Sequence, residues 1–112
     1  MPTLFAGIPV AHLDAAIAWY GRFVGRQPDM WPNDREVVWQ ISSEGWIYVV
    51  TDEERAGSGL LTIIVDDLDA KLAELESAGI DTGPITTLPK AVRRTEVLDP
   101  EGNRIQIGQP LT

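Results

Sequence analysis

The sequence predicts an α+β fold in which one β-α-β-β-β unit is written twice. Three observations carry that expectation. Val10-Ala-His-Leu-Asp-Ala-Ala-Ile-Ala18 aligns with Val65-Asp-Asp-Leu-Asp-Ala-Lys-Leu-Ala73 at an offset of 55, identical at five of nine positions, and that offset is close to half of the 112-residue chain. Self-similarity at a fixed spacing marks a duplicated supersecondary unit. In both halves a short apolar run leads into a stretch of helical periodicity, and in both that stretch is followed by segments alternating with period two.

Each element has its own reason. Residues 3–10, Thr-Leu-Phe-Ala-Gly-Ile-Pro-Val, form a short apolar run with β-branched residues, and so a strand. Leu13–Val24 is a helix with Leu13, Ile17, Tyr20 and Val24 on one stripe, Gly25 after it and His12 at its cap position. Residues 28–32 read as a loop whose Trp31 is expected to overhang the concave side of the sheets. Residues 36–41 and 46–50 alternate about the turn Ser42-Ser-Glu-Gly45, as a hairpin does. The acidic, glycine-bearing residues 51–59 are the linker. Residues 60–65 open the second unit. Asp66 and Asp67 can cap a helix to about Ser77, with Leu68, Leu72 and Leu75 inward, Asp69, Lys71, Glu74 and Glu76 toward water, and Gly79 closing it. An extended piece at 85–88, a strand at 93–98, the turn Asp99-Pro-Glu-Gly-Asn103 and a strand at 104–108 complete the unit. The modules span about 3–51 and 59–109 of a single domain, residues 1–112.

Composition excludes several functions. Seventeen acidic residues against nine basic ones give a net charge of −8, which repels nucleic-acid phosphates and anionic lipid and favours a cationic or neutral partner. The chain has no cysteine, which removes disulfides, thiolate nucleophiles, zinc ribbons and iron–sulfur clusters. No apolar run approaches the ~18–20 residues that span a bilayer, and residues 1–8 lack a basic segment followed by a long apolar one. A soluble, cytoplasmic protein without nucleic-acid or membrane partners is expected.

Ile8-Pro-Val-Ala-His-Leu-Asp-Ala-Ala-Ile-Ala-Trp-Tyr20, its partial echo from Ile63-Ile-Val-Asp-Asp-Leu-Asp69, and Asp99-Pro-Glu-Gly-Asn-Arg-Ile-Gln106 stand in a telling order. With the spacing and total length, they make the chain resemble the vicinal oxygen chelate superfamily of glyoxalases, bleomycin-resistance proteins and extradiol dioxygenases. The resemblance covers residues 3–108. It implies two modules whose sheets curl into a half-open cup, completed in a homodimer. It also implies metal-ligand positions on the first and last strands of each module, which here hold Phe5, Leu60, Tyr48 and Gln106. The chain departs from the metalloenzyme pattern at all four, so neither metal nor cofactor is expected. The residues agree on their own terms. The lone histidine, His12, reads as a cap or surface residue, and the acids at 52–54 and 66–69 read as a solvated linker and a helix start.

Alternation assigns Phe5, Gly7, Leu60, Thr62 and Ile64 to the cup, with Trp46, Tyr48, Val50, Gln106 and Gly108, while Ile8, Val10, Leu61, Ile63 and Val65 pack under helices. Trp39 joins the cup set with Val37 and Ile41 by the same parity, and Trp19 belongs to the core or to a contact between copies. Arg94, Glu96 and Leu98 share cup parity, with Arg94 expected to pair with Glu96, and Lys90, Arg93 and Arg94 form a cluster able to capture a carboxylate or phosphate. The candidate ligand-binding residues are Phe5, Trp39, Trp46, Tyr48, Leu60, Thr62, Arg94 and Gln106, and the one candidate catalytic residue is Glu96, as a general base. Aromatic walls suit a flat or cationic organic molecule. The expected function is metal-independent binding of such a ligand, sequestering it as bleomycin-resistance proteins do in antibiotic resistance. Two readings stay open beside it: a metal-independent lyase, isomerase or cyclase using Glu96, and a non-catalytic interaction module.

Overall fold

Two four-stranded sheets with the same internal order, each carrying one helix, repeat the duplication seen in the sequence. The computed structural model describes residues 2–88 and 92–110. The first module runs β1 (Leu4–Val10), α1 (Leu13–Val24), β2 (Met30–Asn33), β3 (Glu36–Gln40) and β4 (Gly45–Thr51). The second runs β5 (Leu60–Ile64), α2 (Leu68–Ser77), β6 (Thr86–Leu88), β7 (Val92–Leu98) and β8 (Arg104–Pro110). Sheet order is β1-β4-β3-β2 in one and β5-β8-β7-β6 in the other, the opening strand lying parallel to the closing one in each. Crossing between parallel neighbours needs a long connection, which the helix supplies.

Period two sorts the side chains of the strands. Ile8, Val10, Ile47, Val49, Val37, Ile105, Ile107 and Val97 are buried against the helices, forming one core with Tyr20, Phe23, Leu68 and Leu75. The buried face of α1 is Ala16, Trp19, Tyr20 and Phe23, with Leu13, Ile17 and Val24 at its margins, so it is rotated from the predicted stripe. The aromatic residues cause the rotation. Trp19 stacks on Phe23 at 5.3 Å between centroids and meets Tyr20 edge-on at 4.7 Å, and these rings outweigh the smaller Leu13 and Ile17 in apolar area. Residues 28–32 are not wholly a loop, for β2 pairs with β3 across a register shift. It is an edge strand, a position in a sheet that tolerates Pro32.

The helix starts differ. Asp67 caps α2 by accepting from the Ala70 amide at 3.1 Å. His12 stands at the N-cap of α1 without a side-chain cap bond. The anion there comes from the other module, where the Glu101 carboxylate accepts from the amides of Ala11 at 2.7 Å and His12 at 3.0 Å. Glu101 belongs to the β7–β8 turn, which is tied to the first module at two further points. The Tyr20 hydroxyl donates to Asp99 Oδ2 at 2.8 Å, and Asn103 Nδ2 donates to the Pro9 carbonyl at 2.9 Å. Asp99 Oδ1 in turn accepts from the amides of Glu101 and Asn103, so both buried side chains of the turn are satisfied. Burial, then the charge of Asp99, pushes the Tyr20 phenol far above the usual tyrosine range, and it stays a donor. Among the described residues no helix is long and apolar enough to cross a membrane.

Candidate ligand-binding faces

With the core side of both sheets covered, the opposite faces are open in the single chain. On the first sheet, Phe5 and Trp46 are directly paired across β1 and β4, and their rings stack at 5.6 Å and 13°. Two residues on, Gly7 is paired with Tyr48. A Cβ at Gly7 would lie 2.7 Å from both Cζ and the hydroxyl oxygen of Tyr48, so glycine is what lets the phenol lie down across β1. Val38 completes this face, opposite Tyr48 on β3.

The second sheet carries a different surface at the corresponding positions. Thr62, Gln106 and Glu96 lie side by side across β5, β8 and β7. Thr62 Oγ1 donates to Gln106 Oε1 at 3.1 Å, and Arg94 Nη1 donates to the same oxygen at 3.4 Å. Arg104 grips Glu96 Oε2 through Nε at 3.0 Å and Nη2 at 2.8 Å. That hydrogen bonding holds the Glu96 carboxyl below the usual glutamate range, aided by the charge of Arg104. Leu60, Ile64 and Leu98 stand on the same face, each more than half exposed.

Most predicted cup residues are therefore where alternation puts them: Phe5, Trp46 and Tyr48 on one open face, and Leu60, Thr62, Arg94 and Gln106 on the other. Trp39 is a correction. It pairs with Ile47, is fully buried beneath α1 with Val37, and donates its indole N–H to the Arg26 carbonyl at 3.0 Å. Val37, Val38 and Trp39 are all buried, because β3 is an inner strand, so hydropathy there does not mark which parity faces the helices. A second correction concerns Glu96, whose partner is Arg104 rather than Arg94. Arg104 shares the parity of Gln106 along β8, the signal by which it is legible. A carboxyl held low and bound twice by one guanidinium lacks the near-neutral pKa that suits a general base. Arg93 pairs with Asp69 at 3.2 Å and so leaves the expected cationic cluster, of which Lys90 lies outside the described residues. Trp31 is exposed on β2, and Trp19 lies in the core.

Phe5, Leu60, Tyr48 and Gln106 do not fit a bound transition metal, since two hydrocarbons, a phenol and a carboxamide supply no imidazole or carboxylate ligand. Among the described residues no three His, Asp or Glu side chains are grouped to hold one elsewhere. A cleft lined by Phe23, Val24, Ile41, Ile63, Lys71 and Ile107 measures about 180 Å³. Organic ligands of drug size occupy ~300–1,000 Å³, more than this cleft offers.

No family model matches the sequence, and no curated protein matches it. Solved structures do. A glyoxalase/bleomycin resistance protein from Catenulispora acidiphila is 37% identical, with 97% of this chain and 98% of that one covered at a TM-score of 0.90. The chain belongs to the glyoxalase/bleomycin resistance protein family. Two further structures share the fold of this family member. TnmS3, an antibiotic-binding protein from Streptomyces sp. CB03234, is 23% identical over 98% of this chain and 96% of that one, at a TM-score of 0.78. A bleomycin resistance determinant encoded on the transposon Tn5 is 14% identical over the whole of both chains, at 0.80. In this glyoxalase/bleomycin resistance protein the open sheet faces are thus carried on a fold shared with these three structures. Its open face is aromatic on the first module and ionic on the second.

Proposed function

We propose that this protein is a metal-independent binding protein that sequesters an aromatic organic molecule in a cup built from its open sheet faces. The observation that carries the reading is the stacked Phe5–Trp46 pair with Tyr48 laid across Gly7, an apolar aromatic platform in place of metal ligands. Stacking on such a platform is worth ~0.5–1.5 kcal/mol per ring beyond burial, and an antibiotic-binding relative and a bleomycin resistance determinant of the same fold support a small-molecule role. A second copy of the chain closes the cup. Phe5, Leu60, Ile64 and Leu98 are 47–60% exposed on the open faces, a spread of apolar surface that a partner would cover.

The test is a tryptophan-fluorescence titration of chelator-treated protein with bleomycin and a panel of planar aromatic antibiotics. Saturable quenching is expected for at least one compound, retained in chelator and lost in Trp46→Ala and in Tyr48→Ala. A flat response across the panel, or quenching that requires added metal, overturns the proposal.

A further inference from the structure

The formal charge of −8 points to a cationic ligand, but the open face of the second sheet has the opposite local balance. Two guanidiniums, Arg94 and Arg104, face one carboxylate, Glu96, and Arg104 takes both of its hydrogen bonds to Glu96 on a single oxygen. Arg94 is left over. Arg26, Arg55, Arg93 and Arg104 are in ion pairs, and Arg22 and Arg35 donate to backbone carbonyls. Among the described residues Arg94 is the one arginine with neither kind of acceptor, holding only the Gln106 amide oxygen at a long 3.4 Å. The Thr62 hydroxyl is spent on that same oxygen at 3.1 Å. Two donors, one of them charged, thus share one neutral acceptor on a face that also carries Leu60, Ile64, Leu98 and the Glu96–Arg104 pair.

We propose that Arg94, Thr62 and Gln106 form a subsite for an acidic group, so that the sequestered molecule is an aromatic acid, a carboxylate or an acidic phenol, rather than a cation. This rests on the aromatic-cup reading above. A carboxylate entering the face takes the Arg94 guanidinium and the Thr62 hydroxyl from Gln106 and replaces long bonds with charge-assisted ones of ~2.7–2.9 Å. Arg104 supplies both guanidinium hydrogen bonds to Glu96, and Arg94 acts on that carboxylate through its charge alone. The long-range field of the chain slows the approach of an anion, while the local guanidinium selects it once bound.

Three probes of one shape separate the outcomes: 2-naphthoate, neutral 2-naphthamide and cationic 2-naphthylmethylammonium, each titrated calorimetrically into the intact protein. The naphthoate is expected to bind about tenfold more tightly than the amide, about 1.4 kcal/mol, with the ammonium weakest. In Arg94→Gln the ratio of acid to amide affinity is expected to fall to about twofold. Equal affinities for acid and amide, or an ammonium that binds best, overturn the acidic subsite and leave the aromatic cup standing. Binding of none of the three removes the cup reading and this one with it. A fall in sedimentation mass in Arg94→Gln, without loss of acid preference, assigns Arg94 to a contact between copies and likewise overturns the subsite.

Discussion

Trp39 and Trp46 lie on neighbouring strands of one sheet, and their opposite faces give them opposite roles. Trp39 fills the core under α1, so Trp39→Ala is expected to cost ~3–5 kcal/mol in urea unfolding through cavity formation. Trp46→Ala, on the open face, should cost far less and instead remove ligand quenching. Tyr20→Phe keeps the ring and deletes the donor to a buried carboxylate, and a loss of ~1–3 kcal/mol is expected. The raised Tyr20 pKa adds a pH signature. Its contribution is complete below the unfolded phenol value of ~10 and is lost as pH rises above it, so alkaline unfolding should set in earlier in wild type than in Tyr20→Phe relative to each protein's neutral stability. Glu96 has the opposite sign. Its lowered pKa favours the fold above ~4.3 and the benefit fades as pH falls, and a carbon-13 titration should show its carboxyl moving back up in Arg104→Gln.

Helix α1 starts on an anion borrowed from the β7–β8 turn. Glu101→Ala leaves the Ala11 and His12 amides without it and is expected to lower stability by ~0.5–2 kcal/mol, with Glu101→Gln between, read by thermal melting. This arrangement was not legible in the sequence, because the carboxylate and the amide of Ala11 are 90 residues apart. The elements that were legible share a cause. β1, β4, β5 and β8 each bury one face and leave the other open, so alternation reports their parity and places Phe5, Tyr48, Thr62 and Gln106 correctly. β2 is exposed along its length and interrupted by Pro32, so no pattern announces it. Trp39 is not legible because β3 is buried on both faces, and for Glu96 period two puts Arg94 and Arg104 on the same face without saying which of them reaches it.

At the scale of the whole molecule, the open faces set an expectation for assembly. Sedimentation equilibrium is expected to give the mass of two chains, and Leu60→Glu, which puts a charge in place of an exposed apolar side chain, to shift it toward one and weaken ligand binding together. A single-chain mass for wild type would remove the shared cup. The turn at Asp99–Asn103 has a consequence of another kind, in the order of synthesis. A growing chain makes the α1 start and Tyr20 early, yet Glu101 and Asp99, which bond the Ala11 and His12 amides and the Tyr20 hydroxyl, arrive only with the β7–β8 turn. At ~5–20 residues per second, the 90-residue gap between Ala11 and Glu101 lasts roughly 5–18 seconds. For that interval the nascent first module holds its aromatic core without its closing bonds.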